Sequence, residues 1–358
     1  MSDLTPGLAR IPVAVLGATG MVGQTFLRLL DRHPWFYVSE VAASERSAGR
    51  PYGDVVHWLE GELPDAIASL PVLSADPDSV RAPIVFSALD AAVAGTVEPA
   101  FARAGRWVLS NARNFRLEPD VPLVIPEVNP DHLALLDCQR AKRGWAGAII
   151  TNANCSTTVV ALALAPLHQA FGVRAAMVTT LQALSGAGYP GVASLDILGN
   201  IIPFIGGGEE EKIESETLKL LGRMGNGAVE PAPIRISAQV NRVPVAHGHT
   251  VCLAVSLAQP ASPEDAVHAI ENWRSAVASL SLPSAPPQPV VVLPDADRPQ
   301  PRRDAGRGAG MSVSIGRVRR CPVLDLRLVA LGHNTIRGAA GASVLNAELL
   351  VARGFVRP

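Results

Sequence analysis

The sequence predicts an α/β chain in which a parallel-sheet domain is followed by an α+β domain, and three observations carry that prediction. The first half alternates short apolar runs with helical patterns, the signature of βαβ units. From about residue 151 the texture changes to one strong helix and then longer strand-like runs. The first apolar run also passes directly into a glycine-rich turn. At 358 residues the chain is long enough for roughly two domains with large cores.

Taken in order, residues 11–16 read as a strand, 21–31 as a helix, and 37–43, 84–88 and 107–110 as strands. A helix follows Cys155 over 156–171, and strands are expected at 175–183, 234–243 and 250–258. Between them SGAGYPG, an apolar segment over 195–205 and a charged helical stretch over 209–221 form a long connection, which suggests a functional or interface excursion. Seven prolines between Pro283 and Pro301 predict an extended surface loop there. Two further strands are expected at 311–318 and 323–330, and the last segment has a Gly-rich start and an amphipathic helical pattern that stops at Gly354. There are no internal repeats.

Composition excludes several functions. Lys and Arg number 31 against 32 Asp and Glu, so no basic excess exists to hold nucleic acid, and aromatics at 4% offer few stacking platforms. The apolar stretch 159–167 is about half of the roughly 20 residues that span a bilayer, so no membrane partner is expected. The opening residues lack a basic leader, which points to the cytoplasm. Cys138, Cys155, Cys252 and Cys321 stand far apart without a CxxC pair, which predicts neither zinc nor a disulfide framework, and no metal.

The glycine turn is GATGMVG. Gly17, Gly20 and Gly23 sit where a strand becomes a helix, so backbone N–H groups and the helix dipole can meet a pyrophosphate in a Rossmann-type arrangement. The spacing is GxxGxxG, not GxGxxG. Thr19, Met21 and Val22 belong to the same turn, and Ser87 near the end of the 84–88 run is assigned to the same site. After the second strand comes ASERSAG, where an NAD enzyme would offer Asp or Glu to the ribose. Ser44, Arg46 and Ser47 are donors suited to a 2′-phosphate, with Glu45 as an unfavourable neighbour, so NADP is the expected cofactor.

Cys155 in TNANCSTT falls at the start of a helix, whose dipole favours a thiolate. Lowering a thiol pKa from about 8.5 to about 7 raises its ionised fraction at pH 7 from ~3% to half. The other three cysteines read as small buried hydrophobes. A thiolate beside a nicotinamide implies attack on an acyl group or aldehyde and passage through a thioester. That chemistry needs an imidazole, and either His247 or His249 in VPVAHGHT could supply it; spacing alone leaves the two open.

The motifs GATGMVG, ASERSAGRPY, SNARNFR, NANCSTT, TTLQALSGAGYPG, GEEEKIESET, NRVPVAHGHT, DRPQPR and HNTIRGAAGASVLNAELL together resemble aspartate-semialdehyde dehydrogenases of the archaeal and fungal type. They run in order from about Val13 to Glu348, nearly the whole chain. The resemblance implies reversible NADPH-dependent reduction of aspartyl phosphate to aspartate semialdehyde and phosphate, toward lysine, methionine and threonine. It implies Cys155 as nucleophile, Gln182 as an orienting residue, and His249 as the acid/base, since that histidine lies seven residues after the substrate arginine, Arg242.

It further implies Glu209 for the substrate ammonium and Lys212 for phosphate. Arg116 is the better phosphate arginine, with Asn111 and Arg113 serving phosphate or the loop. Ser185, Gly186 and Asn334 match positions near the nicotinamide. The implied architecture joins residues 1–153 and 332–358 as the NADP-binding domain, with 154–331 as a catalytic and dimerisation domain, in a homodimer or homotetramer. Two rivals are a malonyl-CoA reductase-like paralogue and a non-catalytic NADP-binding paralogue; Glu209 and Arg242 favour the amino-acid substrate.

Overall fold

IPVAVL is apolar throughout, the pattern of a strand covered on both faces. In a computed structural model describing residues 10–357 it forms β1 (Ile11–Leu16), inside a sheet completed by β2 (Phe36–Ala43), β3 (Val72–Ser74), β4 (Ile84–Ser87), β5 (Trp107–Ser110) and β6 (Ala148–Thr151). The strand order is β3-β2-β1-β4-β5-β6 and every pairing is parallel. The order reverses between β1 and β4, and the crevice beyond the carboxyl ends there is where such sheets hold ligands. Sequence pattern reached four of these strands. β3 and β6, with 3 and 4 residues, were not read from the sequence. The helix Ala91–Arg103, which joins β4 to β5, escaped because Gly95 and Pro99 weaken its local signal.

The second sheet is mixed. It contains β7 (Val173–Gln182), then, after a small ribbon of β8 (Arg223–Met224) and β9 (Val229–Glu230), β10 (Arg235–Arg242), β11 (His249–Leu257), β12 (Val290–Leu293), β13 (Val313–Arg320) and β14 (Leu326–Gly332). Their order is β10-β7-β11-β14-β13-β12. The helix Cys155–Phe171 covers one face, packing Val159, Val160, Leu162 and Leu167 with Val178, Val240, Leu253 and Leu328. Met177 and Cys252 are exposed on the other face, and the connection over 195–205 leaves Leu195, Leu198, Ile201 and Phe204 in solvent.

Three expectations need correction. The proline-rich stretch is not loop throughout: VVVL pairs with β13 as the edge strand β12, where flanking prolines cost no ladder bonds. The last helix, Gly341–Ala352, is not amphipathic, because Gly341 through Leu350 are all buried. It packs Val344, Leu345 and Leu349 into the core formed by Ile11, Phe26 and Leu109, while Asn346 and Ser343 spend their polar groups on Asn152. Cys138 and Cys252 are exposed instead of buried, one on the solvent side of a surface helix and one on the uncovered sheet face. Among the described residues no helix is long and apolar enough to cross a membrane.

Candidate active site

The chain leaves β6 at Thr151 and enters a helix at Cys155. Asn154 caps that helix: its side-chain oxygen accepts from the Ser156 and Thr157 N–H groups at 2.9 and 3.2 Å, donors the first turn cannot satisfy itself. Cys155 keeps partial solvent access, with Gly338 against it; a Cβ at Gly338 would lie 2.6 Å from the Cys155 Cβ. His249 opens β11 and is fully buried, with Nε2 3.2 Å from the Cys155 sulfur. Its Nδ1 accepts from the Ala183 backbone N–H at 3.1 Å, so the neutral ring carries its proton on Nε2, facing the sulfur. His247 is exposed and stacks on His333. Of the two histidines that spacing left open, His249 is the one at the sulfur.

Burial works against the helix terminus at this thiol. Burial pushes the Cys155 pKa up to about 12, with Glu209 adding to the rise against Arg116, Arg242 and Lys212. Burial and then Arg242 push His249 down to about 3. The resting pair is a thiol and a neutral imidazole.

Charged groups surround it. Glu209 is buried and accepts from Lys212 Nζ at 2.7 Å, from Asn154 Nδ2 at 2.8 Å and from Gln182 Nε2 at 3.3 Å. Burial would raise its pKa, but Lys212 and these donors hold it below the usual range. Gln182 ends β7 and also donates to Thr180, so its bonds run to Glu209 and not to the sulfur. Arg242 ends β10, is buried, and spends Nη1 on the Ala183 carbonyl at 2.6 Å. Gly186 lies against both catalytic candidates: a Cβ there would sit 2.8 Å from Arg242 Nη1 and 3.1 Å from His249 Nε2.

Arg116 is buried, donating to Glu216 Oε1 at 3.0 Å and to the Asn111 carbonyl at 2.7 Å. Arg113, by contrast, is exposed and reaches the Gly207 carbonyl at 2.8 Å. Asn111 is held between Ser87 O, Ser343 and Asn152. The structure thus brings Cys155, His249, Arg242, Glu209, Lys212 and Arg116 into one charged surround, with Arg113 at its rim.

A cleft of about 700 Å³ lies at the carboxyl ends of β1, β2 and β4, lined by Gly17, Thr19, Gly20, Met21, Val22, Ser44 and Glu45. The glycines are required there. A Cβ on Gly17 would meet the Ala88 carbonyl at 2.6 Å, and one on Gly23 would meet the Gly17 carbonyl at 2.3 Å. Gly23 therefore serves close packing beneath the turn, while Gly20 caps the Met21–Leu30 helix whose first N–H groups point into the cleft. This shape and donor set fit a dinucleotide pyrophosphate. Arg46 is exposed beyond Ser44 and Ser47 is partly exposed, whereas Ser87 is fully buried and Ala88, Leu89 and Asp90 line the cleft in its place. The segment Ala187–Tyr189 closes its far end, next to Ser185, whose Oγ accepts from Asn334 at 2.8 Å. Asn334 in turn accepts from the Gly248 N–H, one residue before His249.

Comparison with known proteins gives the family. Residues 12–136 match the family described as semialdehyde dehydrogenase, NAD binding domain, and residues 164–337 match semialdehyde dehydrogenase, dimerisation domain. The chain is 51% identical over 344 residues to an aspartate-semialdehyde dehydrogenase of Methanothermobacter thermautotrophicus, covering 95% of this chain and 99% of the relative. The chain belongs to the aspartate-semialdehyde dehydrogenase family.

Its fold matches the crystal structure of aspartate semialdehyde dehydrogenase with NADP from Candida albicans at a TM-score of 0.89 and 44% identity, covering 97% of this chain and all of that one. A malonyl CoA reductase (NADP) of Metallosphaera sedula is 39% identical, over 97% of this chain and 98% of its own. In this aspartate-semialdehyde dehydrogenase family member, sequence reasoning missed Asn154, Glu216 and Lys219. Asn154 was legible as a helix cap next to Cys155. Glu216 and Lys219 continue the stripe begun by Glu209 and Lys212 at helical spacing, a charged face where a packed helix would be apolar.

Proposed function

We propose that the protein catalyses reversible, NADPH-dependent reduction of aspartyl phosphate to aspartate semialdehyde and phosphate through a thioester on Cys155. The observation that carries this reading is the Cys155 sulfur 3.2 Å from His249 Nε2, ringed by buried Arg242, Glu209 and Arg116. Family membership supplies the reaction; the geometry supports the roles.

Arg242 keeps donors beyond the one given to Ala183, and a planar guanidinium pairs two of them with a substrate α-carboxylate. Glu209 takes the substrate ammonium, and Lys212 and Arg116 take the phosphate. Cys155 then attacks the acyl carbon: the S–C bond forms, the C–O bond to phosphate breaks, and the thiol proton leaves on hydrogen phosphate. His249, with Nε2–H already facing this point, donates a hydrogen bond to the carbonyl oxygen as it gains charge, while Ala183 N–H on Nδ1 holds the ring in that tautomer. In reverse, the same sulfur adds to the aldehyde carbon as the C=O π bond opens and the thiol proton passes to the oxygen, giving a thiohemiacetal. NADPH, held by the Gly17–Gly23 turn with Ser44, Arg46 and Ser47 toward the 2′-phosphate and Ser185, Gly186 and Asn334 toward the nicotinamide, supplies the hydride when bound.

The reading includes residues 1–153 with 332–358 as the cofactor domain, 154–331 as the catalytic domain, and a cytoplasmic homodimer, alone or paired into a tetramer. A substrate panel tests it. Aspartate semialdehyde should support NADP reduction only when phosphate is present, with NADPH preferred over NADH in the reverse direction. Turnover with malonyl-CoA or N-acetylglutamyl phosphate above that with the aspartyl substrate would overturn the substrate, and NADP binding without any turnover would overturn the activity.

A further inference from the structure

Four charged side chains of the helix Glu209–Leu220 recur at intervals of three, four and three residues: Glu209, Lys212, Glu216 and Lys219. That spacing puts them on one helix face. The first two belong to the proposed substrate site. Glu216 is almost completely buried, and its two oxygens serve different donors. Oε1 accepts from Arg116 Nη1 at 3.0 Å, and Oε2 accepts from the Asn154 backbone N–H at 2.6 Å. One turn further on, Lys219 Nζ donates to the carbonyls of Arg116, Glu118 and Val121, each at 2.8 Å.

We propose that Glu216 is a positioning residue that aims the Arg116 guanidinium at the substrate phosphate and holds the Ala153–Asn154 peptide, one residue before Cys155, in register with it. The inference rests on the reading of Arg116 as a phosphate ligand. An arginine beside an anion site needs its direction fixed, because a free guanidinium swings and loses the geometry of its fork. Here Glu216 takes one end and the Asn111 carbonyl takes the other, while Arg116 Nε is buried with no partner in the protein. The same carboxylate reaches the residue that caps the Cys155 helix, so a single group couples the phosphate arginine to the nucleophile. Lys219 pins the backbone of the Arg116 loop to the same helix.

The test compares Arg116→Lys, Glu216→Gln and the double variant with aspartate semialdehyde, NADP and graded phosphate. In Glu216→Gln one amide N–H must face Arg116 or the Asn154 N–H, donor against donor. The expected result is a phosphate KM raised about tenfold to a hundredfold, an NADP KM within about twofold, and a double variant no worse than Arg116→Lys alone. If Arg116→Lys leaves the phosphate KM unchanged, the phosphate reading of Arg116 fails and the inference falls with it. If Arg116→Lys raises that KM and Glu216→Gln does not, the phosphate reading stands and positioning by Glu216 is wrong. A Glu216→Gln that lowers kcat and melting temperature at unchanged phosphate KM makes the residue merely structural, and a lowered phosphate KM makes it a competitor for Arg116; both overturn the inference. Should Glu216→Gln not fold, Glu216→Asp keeps the charge but cannot reach both donors, and an unchanged phosphate KM in that variant is equally decisive.

Discussion

Cys155 and His249 face each other across 3.2 Å, and the histidine is held from behind by the Ala183 N–H on its Nδ1. That third contact matters most for the chemistry. A ring whose Nδ1 is an acceptor cannot take a second proton without setting Nδ1–H against Ala183 N–H, and burial already opposes the imidazolium. The resting pair is therefore a neutral ring beside a thiol, not a ready-made ion pair.

The acidity of Cys155 follows. A thiol pKa raised to about 12 leaves little thiolate at neutral pH, and the fraction grows as pH rises. Iodoacetamide labelling of the enzyme without substrate or cofactor should accelerate about tenfold per pH unit between pH 7 and 9. Labelling that is already at plateau near pH 7 would mean the helix dipole and nearby cations outweigh burial after all.

Arg242 tests substrate recognition. Lysine keeps the charge but loses the fork, and a charge-assisted bond is worth about 1.5–3 kcal/mol. Arg242→Lys should raise the KM for aspartate semialdehyde roughly tenfold to a hundredfold. The NADP KM should stay close to wild type, and steady-state kinetics with each substrate varied reads both.

Gly186 separates site geometry from fold stability. An alanine Cβ would lie 2.8 Å from Arg242 Nη1 and 3.0 Å from His249 Cε1, so one of the two side chains must move. Displacing a catalytic group by about an ångström costs on the order of a hundredfold in rate. Gly186→Ala should lose about that much kcat/KM while its melting temperature stays near wild type, because Gly186 itself is exposed. Unchanged kinetics would show that the loop relaxes freely.

How much of this was legible beforehand divides along physical lines. β1 and its glycine turn were plain because strand, turn and helix each leave a local mark within a few residues. Cys155 stood out for the same reason. What the sequence hides is burial and pairing at a distance: that the thiol pKa rises, that Ala183 chooses the tautomer of a histidine 66 positions away, and that Glu216 meets Arg116 across 100. The terminal helix misled because its polar residues are held inside the core, Asn346 Nδ2 donating to Asn152 and Glu348 pairing with His33 and the Ser284 N–H.

The last prediction concerns what holds Gly338 against Cys155. Arg337, fully buried, meets Glu127 in a two-point pair at 2.8 and 2.7 Å, and this pair anchors the turn of Ile336–Ala340 that carries Gly338. Two charges buried together cost much desolvation, so the pair contributes little beyond a hydrophobic replacement, but either charge left alone is expensive. Arg337→Met should therefore destabilise the protein by about 3–5 kcal/mol, and Arg337→Met with Glu127→Leu should recover most of that loss. Urea unfolding of the two variants reads the difference. If the double variant is as unstable as the single one, the ion pair holds the turn by its directed bonds and not by mutual neutralisation, and kcat should then fall with stability in both.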